Sequence, residues 1–196
     1  MPVFTDSTLF PTFHELPKFA SPTSTSGGEA KGDWFLLAQI KEDMTITKPT
    51  VIVRDRSGTE FAVTFDDGDH RGMGLKFRKG HTLVVPRASR MDRDEGKKAI
   101  VRVPEGQGPR VRLVPGSLEQ VLELGEVLAG IEEQGRGKKK KCAACGGAEK
   151  EGLMLMRCTG CGAAAYCSKA CQVRGWSEMG HKANCKVIRS IKEIWP

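Results

Sequence analysis

The chain has 196 residues, 39% of them hydrophobic and 28% charged, with a formal net charge of +7. That is ordinary globular material, enough for one medium domain or two small ones. The longest uncharged apolar stretches, such as Phe35-Leu36-Leu37-Ala38, are far too short to span a bilayer, which excludes a transmembrane helix. The opening MPVFTDSTLF lacks a basic start followed by an apolar core, so no secretory signal is read there and an intracellular setting is expected. Without export, seven cysteines argue against a disulfide framework, and an odd number cannot pair completely within one chain.

In chain order, residues 1–31 carry Pro2, Pro11, Pro17 and Pro22 and then a Ser/Thr/Gly-rich run. They read as a flexible N-terminal arm, although Phe4, Phe10, Phe13 and Phe19 offer apolar side chains that would let part of it dock. From residue 32 the pattern becomes strand-like. Strands are expected at 34–40, 50–54, 60–65, 81–86 and 99–103, with a sixth at 111–114; Ser57-Gly58 supplies a turn, and Phe61, Val63 and Phe65 alternate. Asp66-Asp67-Gly68-Asp69 is a loop; it makes a poor calcium site, because Phe77 stands where an EF-hand needs glutamate. Residues 92–98 are polar and read as a loop as well.

Short strands with Gly-rich turns point to a small barrel or sandwich. Ser117-Leu118-Glu119-Gln120 then forms a capping-box pattern, and Leu118, Val121, Leu122, Leu128 and Ile131 recur on one helical face, predicting a helix packed on the barrel. Residues 135–141, ending in four lysines, read as a basic linker and as a weak nuclear address that tips localisation from cytoplasm toward nucleus.

The charge is unevenly placed. Residues 138–196 hold twelve Lys/Arg and four Asp/Glu, whereas residues 1–137 are almost balanced. The same basic segment contains every cysteine: Cys142, Cys145, Cys158, Cys161, Cys167, Cys171 and Cys185, joined by His181. The spacings run C-x2-C, C-x2-C, C-x3-C and H-x3-C, eight donors in four pairs, which is two tetrahedral zinc sites with nothing left over. A tight turn aims both sulfurs of a C-x2-C pair at one ion, and Gly146-Gly147 and Gly160/Gly162 are placed to relieve that backbone. A C-x3-C or H-x3-C pair sets its donors at i and i+4 on a helix.

The need for metal is physical. Residues 142–185 hold little apolar bulk beyond Leu153, Leu155, Tyr166, Val173 and Trp176, too little for a self-sufficient core. Structural zinc supplies about 10–16 kcal/mol of apparent binding free energy, much of it acting as folding energy. Spacing alone leaves open whether consecutive or alternating pairs share an ion. Seven thiolates and two Zn²⁺ would also lower the net charge by three, so +7 overstates the field the loaded chain presents.

The run Tyr166-Cys167-Ser168-Lys169-Ala170-Cys171-Gln172, followed by Trp176, His181-Lys182 and Cys185, resembles a MYND-type zinc finger over residues 142–185. The resemblance implies cross-braced binding, with Cys142, Cys145, Cys167 and Cys171 on a first structural Zn²⁺ and Cys158, Cys161, His181 and Cys185 on a second. One departure is visible: four residues separate Trp176 from His181 where the commonest family pattern has two, which makes His181 the least regular ligand. The family implies a protein-protein interaction module or adaptor that recognises proline-containing partner peptides, often of the PxLxP kind and in transcriptional regulation. Thr159, Gln172 and Trp176 match the family's peptide-contact positions.

The expected fold class is therefore α+β: a small mainly-β, barrel-like domain with a C-terminal helix over 32–134, then a small cross-braced two-zinc finger, then a short helix or tail over 186–196. The β-rich domain is similar in strand number and length to an OB-fold barrel. That pattern makes single-stranded nucleic-acid binding the alternative function. Residues 76–112 carry eleven basic and four acidic side chains, but Phe77 is the only aromatic among them, so stacking support for base recognition is thin. A third reading, a methyltransferase-related protein, follows from enzymes that carry MYND fingers. No stretch resembling their catalytic motifs is present and every cysteine is committed to metal, so no catalytic residue is assigned and no enzyme is expected. His14, His70 and His81 are isolated from the cysteine pairs and read as surface or loop residues. Met154 and Met156 read as packing residues in a short strand, and Trp195 as a cap over Ile188 and Ile191.

Overall fold

The computed structural model describes residues 1–19, 32–68, 74–94, 97–135, 140–149 and 154–196, leaving aside the side chains of 132–135. The Ser/Thr/Gly run of the arm, Asp69, His70, Lys138, Lys139 and Leu153 lie outside the described residues. The chain divides into two compact units, residues 4–119 and residues 120–196 together with 1–3.

The first unit is a seven-stranded sheet: β1 (Phe35–Asp43), β2 (Thr50–Asp55), β3 (Glu60–Phe65), β4 (Thr82–Pro86), β5 (Arg90–Met91), β6 (Ile100–Val103) and β7 (Arg112–Val114). Its order is β5-β6-β3-β2-β1-β4-β7. All pairings are antiparallel except β3 with β6, where Ala62 faces Ile100 and Phe65 faces Val103. Only residues 87–89 separate β4, which pairs with β1, from β5, which pairs with β6. This short connection joins the two ends of the sheet, so the sheet wraps on itself as a barrel. Period-two alternation puts Phe61, Val63 and Phe65 of β3 inside, with Val51 and Val53 of β2 beside them and Leu36, Ile40, Leu83 and Val101 completing the core. The β2–β3 turn is the expected one: Gly58 sits at φ +83, and its N–H reaches the Asp55 carbonyl at 3.1 Å.

The arm corrects the sequence expectation. Residues 4–19 are folded, with Phe4, Phe10, Phe13 and Leu16 buried and a 3-10 turn at Phe13–Glu15. Phe13 stacks on Phe61 at 4.2 Å between ring centroids, and the Arg90 guanidinium lies over the Phe13 ring, 5.8 Å from its centroid. The polar anchor is Asp55, only 3% exposed. Its Oδ2 accepts the Phe13 N–H at 2.7 Å, and its Oδ1 accepts from the Ser57 N–H and hydroxyl and the Thr59 N–H. One carboxylate therefore holds both the turn and the incoming segment. Residues flanked by prolines show no periodicity, which is why pattern reading left this segment as an arm.

The loop after β3 also has a structural use. Asp66 pairs with Lys48 and Arg102, and Asp67 accepts the N–H groups of Gly106 and Gly108 at 2.6 and 3.0 Å. These carboxylates are committed to protein partners and not to an ion. Two-residue β5 lies below the length at which alternation can be read from sequence.

The second unit contains nearly all of α1 (Leu118–Gly135), the two-stranded sheet β8 (Met156–Arg157) and β9 (Ala165–Tyr166), α2 (Lys169–Ser177) and α3 (His181–Ile194). Leu118, Val121 and Leu128 of α1 are buried as their spacing predicts, but Ile131 is 56% exposed, so the apolar face ends a turn earlier than expected. The unit boundary falls near the start of α1 rather than at the lysine run. The Gln120 amide donates to Asn184 Oδ1 at 2.6 Å, tying α1 to α3 within this unit. α3 continues unbroken past Cys185, so the expected short terminal helix is the second half of the helix that begins with His181.

Asp55→Ala takes the acceptor away from the buried Phe13 N–H and from the part-buried Ser57 and Thr59 N–H groups. It is expected to destabilise the first unit by about 2–3 kcal/mol, measurable as a lowered midpoint in urea unfolding. An unchanged midpoint would remove Asp55 as the anchor.

Candidate metal centres

Each C-x2-C pair folds as the same tight turn. Gly146 (φ +71) returns its N–H to the Cys142 carbonyl at 2.9 Å, and Gly162 (φ +66) returns its N–H to the Cys158 carbonyl at 2.8 Å. These left-handed positions favour glycine because it has no Cβ to clash. Within each turn two successive N–H groups point back at the first sulfur: those of Ala144 and Cys145 at Cys142, and those of Gly160 and Cys161 at Cys158.

The β8–β9 hairpin flanks the second turn, pairing Met156 with Tyr166 and Arg157 with Ala165. Cys167 leaves β9 just before Ser168, whose hydroxyl caps α2 by accepting the Cys171 N–H at 3.2 Å. Cys167 thus stands outside the helix and meets Cys171 across its cap, while His181 and Cys185 do share one face of α3.

The four pairs meet alternately. Cys142, Cys145, Cys167 and Cys171 converge in one group, and Cys158, Cys161, His181 and Cys185 in the other, with all donor atoms of a group within 4.8 Å of one another. Sulfur separations are 3.6 Å for Cys145–Cys167 and Cys167–Cys171, and 3.7 Å for Cys158–Cys185. His181 presents Nε2, 3.2 Å from Cys158 Sγ and 3.7 Å from Cys161 Sγ. Two sulfurs sharing a tetrahedral zinc lie about 3.8 Å apart, whereas a disulfide would hold them at about 2.05 Å. The cages therefore have the size and donor chemistry of zinc and not of a cystine. Among the described residues, His14 and His81 join no such cluster.

The longer Trp176–His181 spacing is absorbed by the α2–α3 turn. Gly180 at φ +75 reverses the chain immediately before His181, which is only 7% exposed and seated in the second cage. The extra residues, Met179 among them, stay at the surface.

Electrostatics in each cage await a cation. Burial alone would raise the Cys142 thiol, but the N–H groups of Cys145, Cys167 and Ala144 outweigh it and lower it to about 6. Burial likewise opposes ionisation of Cys158, and the Cys161 N–H, the His181 ring and the Gly160 N–H bring it to about 6. Another sulfur in each cage is pushed the other way. The Cys171, Cys145 and Cys142 side chains drive Cys167 up to about 12, and burial with the Cys158 sulfur drives Cys185 up to about 12. Clustered thiolates cannot all ionise until a positive ion joins them.

Two residues hold the cages together: Tyr166, which the sequence reading counted among the sparse apolar bulk, and Gly175, which it left without a role. Tyr166 is 2% exposed and packs with Cys142, Ala144 and Leu155. A Cβ on Gly175 would stand 2.4 Å from the Tyr166 ring, so only glycine lets α2 close on it. A glycine inside a short helix, unfavourable by about 1 kcal/mol, was the available signal. At Gly160 a Cβ would come within 2.9 Å of Cys185 Sγ.

Residues 136–185 match the family of the MYND finger. The chain carries a MYND finger. The human protein "Histone-lysine N-methyltransferase SMYD3" is 45% identical to it over 42 residues, a match covering 21% of this chain and 9% of that protein. The shared region is thus confined to the finger, which is a non-catalytic, zinc-binding interaction module. Two solved structures show low similarity. The S. pombe Stn1-ten1 complex gives a TM-score of 0.32 at 15% identity over 42% of this chain and 58% of that one. The S. cerevisiae mitochondrial single-stranded DNA binding protein Rim1 gives 0.28 at 12% identity over 44% and 96%. At that level the barrel is to be read from its own residues. No helix among the described residues is long and apolar enough to cross a membrane.

The peptide-contact positions lie on the finger's surface. Thr159 is exposed on the second cysteine turn, and Gln172 is half-buried one turn before Trp176. Trp176 is 41% exposed, with its ring centroid 5.5 Å from that of His181. Met154 and Met156 are exposed as well, at 85% and 46%, against the packing expectation; Leu155 between them is the buried one.

Two measurements check this site. Gly175→Ala is expected to weaken zinc retention in a chelator competition, because the new methyl displaces Tyr166; wild-type retention would remove that contact from the account. Lowering the pH from about 8 to about 6 is expected to reduce zinc affinity. The thiols of Cys167 and Cys185 keep their protons in the metal-free cage and must release them on binding, so acid opposes loading. An affinity independent of pH would contradict thiolate ligation.

Proposed function

We propose that the finger is a peptide-binding adaptor whose groove is built on α2 and set by the second zinc. In this reading Cys142, Cys145, Cys167 and Cys171 hold one Zn²⁺, and Cys158, Cys161, His181 and Cys185 hold the other. Complete donor sets leave no open coordination position for substrate or water, so both ions are structural and the protein is an interaction module, not an enzyme.

The observation that carries the proposal is the exposed ridge on α2. Val173 and Trp176 stand three residues apart on α2 and are 53% and 41% exposed, and Met179, 49% exposed, follows in the turn just after the helix. A finger short of apolar bulk would bury a tryptophan if it served only as core. Instead one side of Trp176 rests near the His181 ring and the rest is open, a rigid apolar anchor of the kind that dominates interface energetics. Beside it, Gln172 accepts from Lys169 Nζ at 3.2 Å, which leaves its Nε2 donors for a peptide carbonyl. An extended proline-containing segment suits this surface: proline rings pack flat on an aromatic face, and their preceding carbonyls lack intramolecular partners. A role in transcriptional regulation and a nuclear setting belong to the same proposal.

The test is titration of the zinc-loaded full chain with an array of PxLxP-type peptides. Trp176→Ala is expected to weaken binding at least about tenfold while native mass spectrometry still finds two zinc ions. Undiminished binding by that variant, or no binding by any peptide of the array, would overturn the groove assignment.

A further inference from the structure

The barrel carries a second surface that the finger does not explain. A cleft of about 600 Å³ opens where β4 gives way to β5, between the start of β1 and the segment after β6. Arg87, Arg102 and Arg110 line it together with Phe35, Pro86 and Pro104. These come from distant parts of the sequence: Phe35 opens β1, and the three arginines lie in the basic stretch 76–112. The fold thus supplies next to the cations an aromatic ring from outside their own stretch of sequence.

The arginines are held differently. Arg87 occupies left-handed backbone at φ +50, the only described non-glycine residue at positive φ, and its Nε and Nη2 reach Asp33 Oδ1 at 3.0 and 2.9 Å. Arg102 is fixed through Nε to Asp66 Oδ2 at 2.5 Å, and its two terminal nitrogens have no partner among the described residues. Arg110, exposed at the cleft edge, bonds the Gln107 carbonyl through its backbone N–H at 3.0 Å, and its guanidinium has no hydrogen bond or ion pair among the described residues. Two guanidiniums are therefore buttressed by carboxylates with donors to spare, and a third is free. Strained backbone persists where the surroundings fix a side chain in one place.

We propose that this cleft binds a nucleotide phosphate, either in a free mononucleotide or in a single strand. Three guanidinium forks on one cleft suit an anion with several acceptor oxygens, as a phosphate has and a carboxylate has not. The volume is far larger than a bare anion requires and falls in the range of small-molecule sites. The Phe35, Pro86 and Pro104 wall offers the flat apolar surface against which a base packs, and Gln107 on the rim offers an amide for its edge. The site is independent of the zinc cages and of Trp176.

The experiment uses the zinc-loaded full chain at low salt, titrated separately with thymidine monophosphate, a fluorescent oligo(dT) and an acidic peptide of equal charge. Arg110→Ala removes an exposed guanidinium that has no hydrogen bond or ion pair among the described residues, and Arg87→Gly removes a guanidinium while keeping the left-handed backbone. Both are expected to weaken phosphate binding about tenfold or more, with an unchanged unfolding midpoint. Binding of the mononucleotide would identify a free nucleotide as sufficient ligand, and binding of oligo(dT) alone would identify a strand; either result supports the site. Affinity unaltered in both variants, no binding of either phosphate, or equal binding of the acidic peptide would overturn it.

Discussion

The finger depends on one constraint: four donors must close on each of two cations, because the segment has too little apolar bulk to hold itself. Its other features follow from that requirement. Gly146 and Gly162 take left-handed conformations so that paired sulfurs converge, and paired N–H groups aim at Cys142 and Cys158 so that those sulfurs ionise first. Tyr166 is buried against Cys142 with its ring centroid 6.1 Å from that of His181, and Gly175 is bare so that α2 can close against it. Where a hydrophobic core would spread its stabilisation over many contacts, here it is concentrated in eight atoms.

In the proposed peptide groove, that concentration would tie binding to metal. His181 joins the second cage through Nε2 while its ring lies near Trp176. The tryptophan's orientation is thereby set from beneath by a residue whose own position the cage fixes. The first group of donors joins the first cysteine turn to Cys167, which follows β9, and to Cys171 of α2. A surface anchor can be rigid in so small a fold only if something beneath it is rigid, and the zinc site is that element.

The barrel solves the same problem by opposite means. Its core is ordinary, with Val51, Val53, Val63 and Phe65 fully buried, and its charged groups organise the periphery. Asp55 gathers the arm and the β2–β3 turn, while Asp66 and Asp67 gather Lys48, Arg102 and the loop after β6. The arm escaped the sequence reading because proline-flanked phenylalanines have no period. It became legible only when Phe13 met Phe61 and its N–H met a buried carboxylate 42 residues away.

What the sequence determined by itself was whatever local spacing enforces. The metal, the ligand types, both glycine turns and the strand set are properties of short windows, in which the chain geometry leaves few choices. The tertiary structure decided which cysteine pairs share an ion, where α1 belongs, whether Trp176 faces solvent, and that Phe35 stands beside Arg87, Arg102 and Arg110. These are meetings of residues far apart in the chain. No periodicity encodes them, since they arise from how segments distant in the chain pack within each unit.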